Sequence, residues 1–350
     1  MAYTTINKPT LHFNTKLYSG TGSSNAITGV GFQPDWIWIK RRSATNSSHI
    51  VDVIRGATKA VASDLTNAEY TSALSSIDSD GFTVTGSPAS ANDSSSTYAS
   101  WNWKAGGSSV SNSDGATTSY VSANTTAGFS IVKWTGTGSA TTIGHGLSSK
   151  PQMIIIKNYS ASQSWVVYNE NLQGTEGHKA LYLNQTDAQT DQTGFFNDTA
   201  ATSSVFTVGS NGNTNNSGDN FIAYCFHSVK GYSKLGKYQG NGSSSDGSFI
   251  YTGFKPAFVM AKVMYASAGA DFADWWSIHD SKRLGYNGAN RLVHPNTTAA
   301  EGGDNMHLFS NGFKPNTSNA GLNSSSGVYM YYAVAEAPIV GTNNVPANAR

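Results

Sequence analysis

The sequence predicts an all-β protein of three tandem antiparallel β-sandwich domains, jelly-roll or Ig-like. Three observations carry this. One apolar stretch occurs three times: around Pro34 at 31–40, around Pro151 at 150–157 and around Pro256 at 253–262. Further features follow each copy in the same order at near-constant spacing. Finally, only 12% of residues are charged, Gly numbers 36, and Ser, Thr and Asn fill most gaps. That is the composition of short strands and many turns, and no long segment sustains a helical period.

The repeated stretch is read as the centre of each domain. In every copy the four residues from the second to the fifth after the Pro are apolar, and a Lys stands six places after it (Lys40, Lys157, Lys262). Side chains of a strand alternate between faces, so a strand apolar on both faces is buried on both sides. A Pro at its first residue does least harm to the ladder. Ile37, Ile155 and Val259 therefore belong to central strands.

Before each central strand stands an aromatic and a Gly-x-Gly: Tyr18 with Gly20 and Gly22, Trp134 with Gly136 and Gly138, Tyr238 with Gly240 and Gly242. The third Gly of a dinucleotide fingerprint is missing and a strand follows, so these are turns needing positive φ. After the central strand a short second strand ends on Asp52, Asn169 or Asp280. A later strand carries Phe82, Phe206 or Phe313. The most aromatic strand closes each copy, starting 15 or 16 residues on at Tyr98, Phe221 or Tyr329.

The prolines recur with a period of roughly 110 residues, too long for a solenoid or propeller repeat and suited to whole domains. The expected division is an N-terminal segment 1–16, repeat 1 at 17–104, a flexible Gly/Ser/Thr/Asn linker at 105–128, repeat 2 at 129–227, repeat 3 at 228–336 and a tail at 337–350.

The formal net charge is +1, and the one basic cluster, Lys40-Arg41-Arg42, reads as a solvated turn. A nucleic-acid interface would need a basic stripe. Cys225 is the single cysteine, expected in the core, so no internal disulfide forms. The start of the chain has no apolar h-region, and no run is long enough to span a membrane.

These residues resemble a known group. The strings Gly-Phe-Gln-Pro-Asp-Trp-Ile-Trp-Ile-Lys (31–40), Val-Ile-Arg-Gly-Ala-Thr-Lys (53–59), Asp-Ser-Asp-Gly-Phe-Thr-Val (78–84), Trp-Asn-Trp-Lys-Ala-Gly-Gly (101–107), Ile-Gly-His-Gly-Leu (143–147) and Phe-Ile-Ala-Tyr-Cys-Phe (221–226) are similar to uncharacterised repeat proteins of tailed phages, many from marine hosts, labelled tail fibre or virion proteins. The resemblance covers nearly the whole chain. It implies a virion location, the tail in particular, and host recognition, and it supplies no catalytic residues.

Four residues are the candidate ligand contacts. Trp165 and Trp276 are aligned, with Ser48 in the first copy, and aromatic faces suit the C–H patches of sugar rings. Asp280 and Arg283 share the Asp-x-x-Arg pattern of Asp52 and Arg55, lost in the second copy at Asn169 and Leu172. Two readings compete for that pair: a base oriented by an Arg, or a turn whose Asp accepts backbone N–H groups. The alternative for the Trp pair is core packing. His49, His145 and His279 lack metal-ligand spacing. No metal, cofactor or catalytic residue is expected. A hydrolase would need two carboxylates about 5–9.5 Å apart across a cleft, and acids recur too rarely for that. The expectation is a non-enzymatic tail fibre or receptor-binding component contacting host surface glycans. It would form a homotrimer and touch other virion tail proteins. The alternative is a purely structural tail or capsid decoration.

Overall fold

The computed structural model describes residues 3–266, 274–283, 291–303 and 306–341. Most of the 337–350 tail lies outside the described residues, as do Met1 and Ala2. The chain is all-β, with sheets of antiparallel strands and, among the described residues, three single-turn α-helices, Thr193–Phe196, Gly212–Asn215 and Ala320–Asn323.

One strand order recurs. An opening strand pairs with a closing strand, which pairs with the central strand, which pairs with a flanking strand. In the first copy these are Phe13–Ser19, Thr97–Trp103, Trp36–Arg41 and His49–Asp52. In the second they are Phe129–Thr135, Asn220–Phe226, Met153–Asn158 and Val166–Asn169; in the third, Ser233–Gln239, Gly327–Pro338, Phe254–Ala266 and Ser277–Asp280. Ile37, Ile155 and Val259 thus sit in strands paired on both edges. Pro34 and Pro151 precede their strands, while Pro256 falls at a bulge, where a ladder hydrogen bond is already missing.

The doubly apolar central strand has a definite cause. Alternate residues face two different cores. Trp36, Trp38, Met153, Ile155, Phe258 and Met260 all point into one core shared by the three copies. Their neighbours enter three separate cores: Ile37 and Ile39 one, Ile154 and Ile156 another, Val259 and Ala261 the third. Each separate core is completed by a smaller sheet, including Gly81–Val84, Val205–Val208 or Gly312–Pro315. The shared core is aromatic. Trp36 stacks on Tyr224 at 4.5 Å between centroids, Phe13 meets Phe258 at 5.4 Å, and Phe226 meets Tyr332 at 4.9 Å.

Two expectations about the ends of repeats are corrected. Residues 105–128 are no flexible linker: Val110–Asn112 and Ser119–Asn124 are strands that extend the second copy's sheet beyond Phe129–Thr135. Val121 and Ser122 are buried there, and Asp35 anchors the start by accepting from Ala105 N and Gly107 N. Repeat 1 begins before residue 17, because its opening strand starts at Phe13.

The Gly-x-Gly turns wrap a buried Asn that the sequence did not single out. Asn92, Asn215 and Asn323 accept through Oδ1 from Thr21 N, Thr137 N and Asn241 N. Gly22, Gly138 and Gly242 have φ of 71°, 74° and 72°. A Cβ on Gly20, Gly136 or Gly240 would lie within 2.2 Å of a backbone carbonyl oxygen, which forces Gly at the first position as well.

Candidate functional site

The three recurring lysines of the central strands lie inside the protein. Lys40, Lys157 and Lys262 are buried, and each donates to two backbone carbonyls. One carbonyl belongs to the lysine's own copy: Asn46 at 2.7 Å, Gln163 at 2.6 Å, and Asp274. The other belongs to a different copy. Lys40 reaches Thr297 at 2.5 Å, Lys157 reaches Thr66 at 2.7 Å and Lys262 reaches Thr186 at 2.6 Å. The first copy thus holds the third, the second holds the first, and the third holds the second, a closed ring. Burial opposes the charge and lowers the lysine pKa values to about 8, 7 and 7. The basic cluster at 40–42 is therefore not a solvated turn. Arg41 pairs with Asp93 and Arg42 with Glu301, both at 2.8 Å.

The aligned tryptophans close the same seams. Trp165 Nε1 donates to Ala62 O at 2.9 Å in the first copy. Trp276 Nε1 donates to Tyr182 O at 2.8 Å in the second. At the third seam Ser48 bonds Ser63, and Ser63 Oγ donates to Pro295 O at 2.5 Å. Hydroxyls replace the indole there. Asp64, Asn184 and Asn296 hold the backbone beneath, accepting from the N–H of Ser48, Trp165 and Trp276.

The acidic ends of the flanking strands form turns. Asp280 Oδ1 accepts from Lys282 N and Arg283 N, and Oδ2 accepts from Arg283 Nε at 2.5 Å and from Trp101 Nε1 at 2.9 Å. The Arg283 guanidinium lies 5.3 Å from the centre of the Trp101 ring and reaches Glu301 at 3.4 Å. Asp52 repeats this with Ile54 N, Arg55 and the Tyr224 hydroxyl, and Arg55 reaches Glu69. Burial works against the Arg55 charge, but Asp52, Tyr224 and Glu69 together raise its pKa. In the second copy Asn169 keeps the turn by accepting from Asn171 N, while its own Nδ2 is buried without a hydrogen-bond partner.

This geometry corrects the ligand assignment. Trp165, Trp276, Asp280 and Arg283 are all buried, with their polar atoms engaged inside the protein. A sugar cannot reach an indole whose faces are covered by core side chains, and a carboxylate accepting four bonds has no lone pair left for a substrate. What the structure brings together from the sequence-predicted residues is a turn and a seam. Among the described residues the most exposed large aromatics lie elsewhere: Tyr120, Phe249, Tyr251 and Trp275 are each about half exposed. Tyr251 borders a cleft shared with Tyr3, a pairing across 248 positions that no local pattern signals.

The histidines are structural too. His49 bonds Ser72 and Tyr70, and burial lowers its pKa to about 4. His145 accepts from Leu147 N and also bonds Thr202 O. His279 is buried with neither ring nitrogen hydrogen-bonded, and burial lowers its pKa to about 3. Among the described residues no group of three His, Cys, Asp or Glu is placed to hold a metal ion, and no helix is long and apolar enough to cross a membrane.

The chain belongs to the family described as Domain of unknown function (DUF7483), whose model matches residues 8–338. No curated protein and no solved structure matches it.

Proposed function

We propose that this chain is a non-enzymatic virion protein of a tailed phage, a tail fibre or receptor-binding component that contacts host surface glycans. Its scaffold is read as three tandem β-sandwich units closed into a ring. The observation behind this reading is the division of labour between inside and outside. The recurring Lys and Asp side chains bond from one copy to another, and Arg55 and Arg283 brace the Asp residues that do so. The surface carries many Ser, Thr and Asn with a few exposed aromatics, groups that suit hydroxyl-rich ligands through hydrogen bonds and stacking.

The assembly proposed with it is a homotrimer beside other tail proteins. The aromatic closing strands are packed in the shared and separate cores, so the trimer interface has to use other side chains, such as the exposed Val110 and Tyr120. Antibody labelling of intact virions tests the location. Binding of the purified chain to host cells and to their extracted polysaccharide tests the receptor role. Label confined to the tail with saturable binding supports the reading; label absent from virions overturns it.

A purely structural tail or capsid decoration is the second reading. The burial of Trp165, Trp276, Asp280 and Arg283 favours it, since the recurring chemistry is spent on cohesion. Label on the capsid, or on the tail with no binding to host cells, selects it.

A further inference from the structure

Two adjoining clefts lie on either side of Tyr3 and Lys230. One, of about 520 Å³, runs past Thr4, Thr5, Thr125 and Thr126 to His227. The other, of about 490 Å³, runs past Lys234 to Tyr251 and Gly253. They share Tyr3, Ser228 and Lys230, so together they form one groove. Each falls in the range of small-molecule sites, about 300–1,000 Å³.

The groove is shaped by specific contacts. Lys230 Nζ sits 4.7 Å from the centre of the Tyr3 ring and Lys234 Nζ 5.5 Å from that of Tyr251. Tyr3 donates to Gly253 O at 3.0 Å. A Cβ on Gly253 would stand 2.9 Å from the Tyr3 hydroxyl oxygen and 3.6 Å from that of Tyr251, so both hydroxyls converge above a residue that has none. His227 Nε2 is buried without a hydrogen-bond partner.

Its charge is one-sided. Lys59, Lys150, Lys179, Lys255 and Lys314 each lie within 3.6 Å of a carboxylate. Lys230 and Lys234 have no carboxylate partner among the described residues, and no Asp or Glu lines either cleft.

We propose that this groove binds an anionic saccharide, a chain of carboxylate-bearing sugar rings. The half-exposed Tyr251 ring offers a stacking face, Tyr and Thr hydroxyls meet the sugar hydroxyls, and Lys230 and Lys234 meet the carboxylates. This deepens the glycan-binding reading and rests on it.

The test uses oligogalacturonate and its methyl ester as probes, with titration calorimetry on the full chain. The two probes share a backbone and differ in charge. Oligogalacturonate should bind saturably, and the methyl ester at least about tenfold more weakly, a difference of ~1.4 kcal/mol. Lys230→Ala/Lys234→Ala should lose the same factor at an unchanged melting temperature. Tyr251→Ala, an exposed position that leaves the core intact, should weaken both probes. Absence of saturable binding, equal binding of the ester, or wild-type affinity in the lysine variant overturns the proposal. Extracted host polysaccharide is assayed in parallel. If the wild type and both variants bind it equally well, the groove assignment fails while the glycan reading stands. If nothing binds it although oligogalacturonate does, the groove stands and the host-glycan reading falls.

Discussion

The side-chain nitrogen of Lys157 lies 2.7 Å from the carbonyl oxygen of Thr66, 91 positions away in the chain. That bond joins the second copy to the first. Its counterparts from Lys262 to Thr186 and from Lys40 to Thr297 complete a ring in which each copy holds one other. Replacing Lys157 by Met keeps the apolar stem and removes the donor. The carbonyls of Thr66, an exposed residue, and of half-buried Gln163 then lose a charged donor. The expected loss is about 1–3 kcal/mol for the lost bonds from a charged donor, read as a lower urea midpoint. An unchanged midpoint for Lys157→Met and Lys262→Met would remove the ring from the account of stability.

The tryptophans give a sharper distinction, because core and ligand roles predict different observables. Trp276→Ala should cost about 3–5 kcal/mol, the range for emptying an aromatic core site. Trp276→Phe, which keeps much of the volume but loses the bond to Tyr182 O, should cost about 1–3 kcal/mol. Both are measured by denaturant melts. A ligand contact would instead show lost binding with unchanged stability.

Much of this was legible in the sequence where the cause is local. The Asp-x-x-Arg turn is an i to i+3 relationship, and Asp280 with Arg283 forms it within one turn. The doubly apolar central strand was legible as buried, because alternation alone reports it. What it faces was not, since Trp36 and Ile37 differ in destination and not in polarity. The lysine spacing was visible, but its role was hidden: the acceptors are backbone carbonyls, which carry no sequence signature. The 105–128 segment looked like a linker because its strands bury few large side chains and are held by sheet pairing. The Tyr3 and Tyr251 groove is invisible to any local window.

Acid should destabilise the chain, and mild alkali should not. His49 and His279 have pKa values lowered to about 4 and about 3 from the ordinary 6.5. The unfolded chain therefore binds more protons as pH falls below 6.5, and stability is lost progressively toward those values. The lysines carry the same sign higher up. Lys157 and Lys262 are lowered to about 7 and Lys40 to about 8 from 10.5, so stability should rise with pH from about 7 toward 9. Urea midpoints at stepped pH check this. Lys157→Met/Lys262→Met should flatten the upper part of the curve and leave the acid part in place. A midpoint that falls between pH 7 and 9 contradicts the assignment.

The last prediction uses the second copy as a built-in control. Asp280→Ala leaves Arg283 buried beside the Trp101 ring, with Glu301 alone among the described residues to compensate its charge. Removing one partner of a buried pair costs about 3–5 kcal/mol, because the remaining charge stays desolvated. The second copy shows a neutral arrangement at the same place, with Asn169 holding the turn and Leu172 packed against the shared core. Asp280→Asn/Arg283→Leu copies it: the Asn accepts the turn N–H groups, and no charge is left unpaired. The double variant should therefore be more stable than Asp280→Ala, by about 1–4 kcal/mol. The comparison is made by urea melts at neutral pH. If the double variant is as unstable as Asp280→Ala or worse, the charge pair has a role that the neutral turn cannot fill.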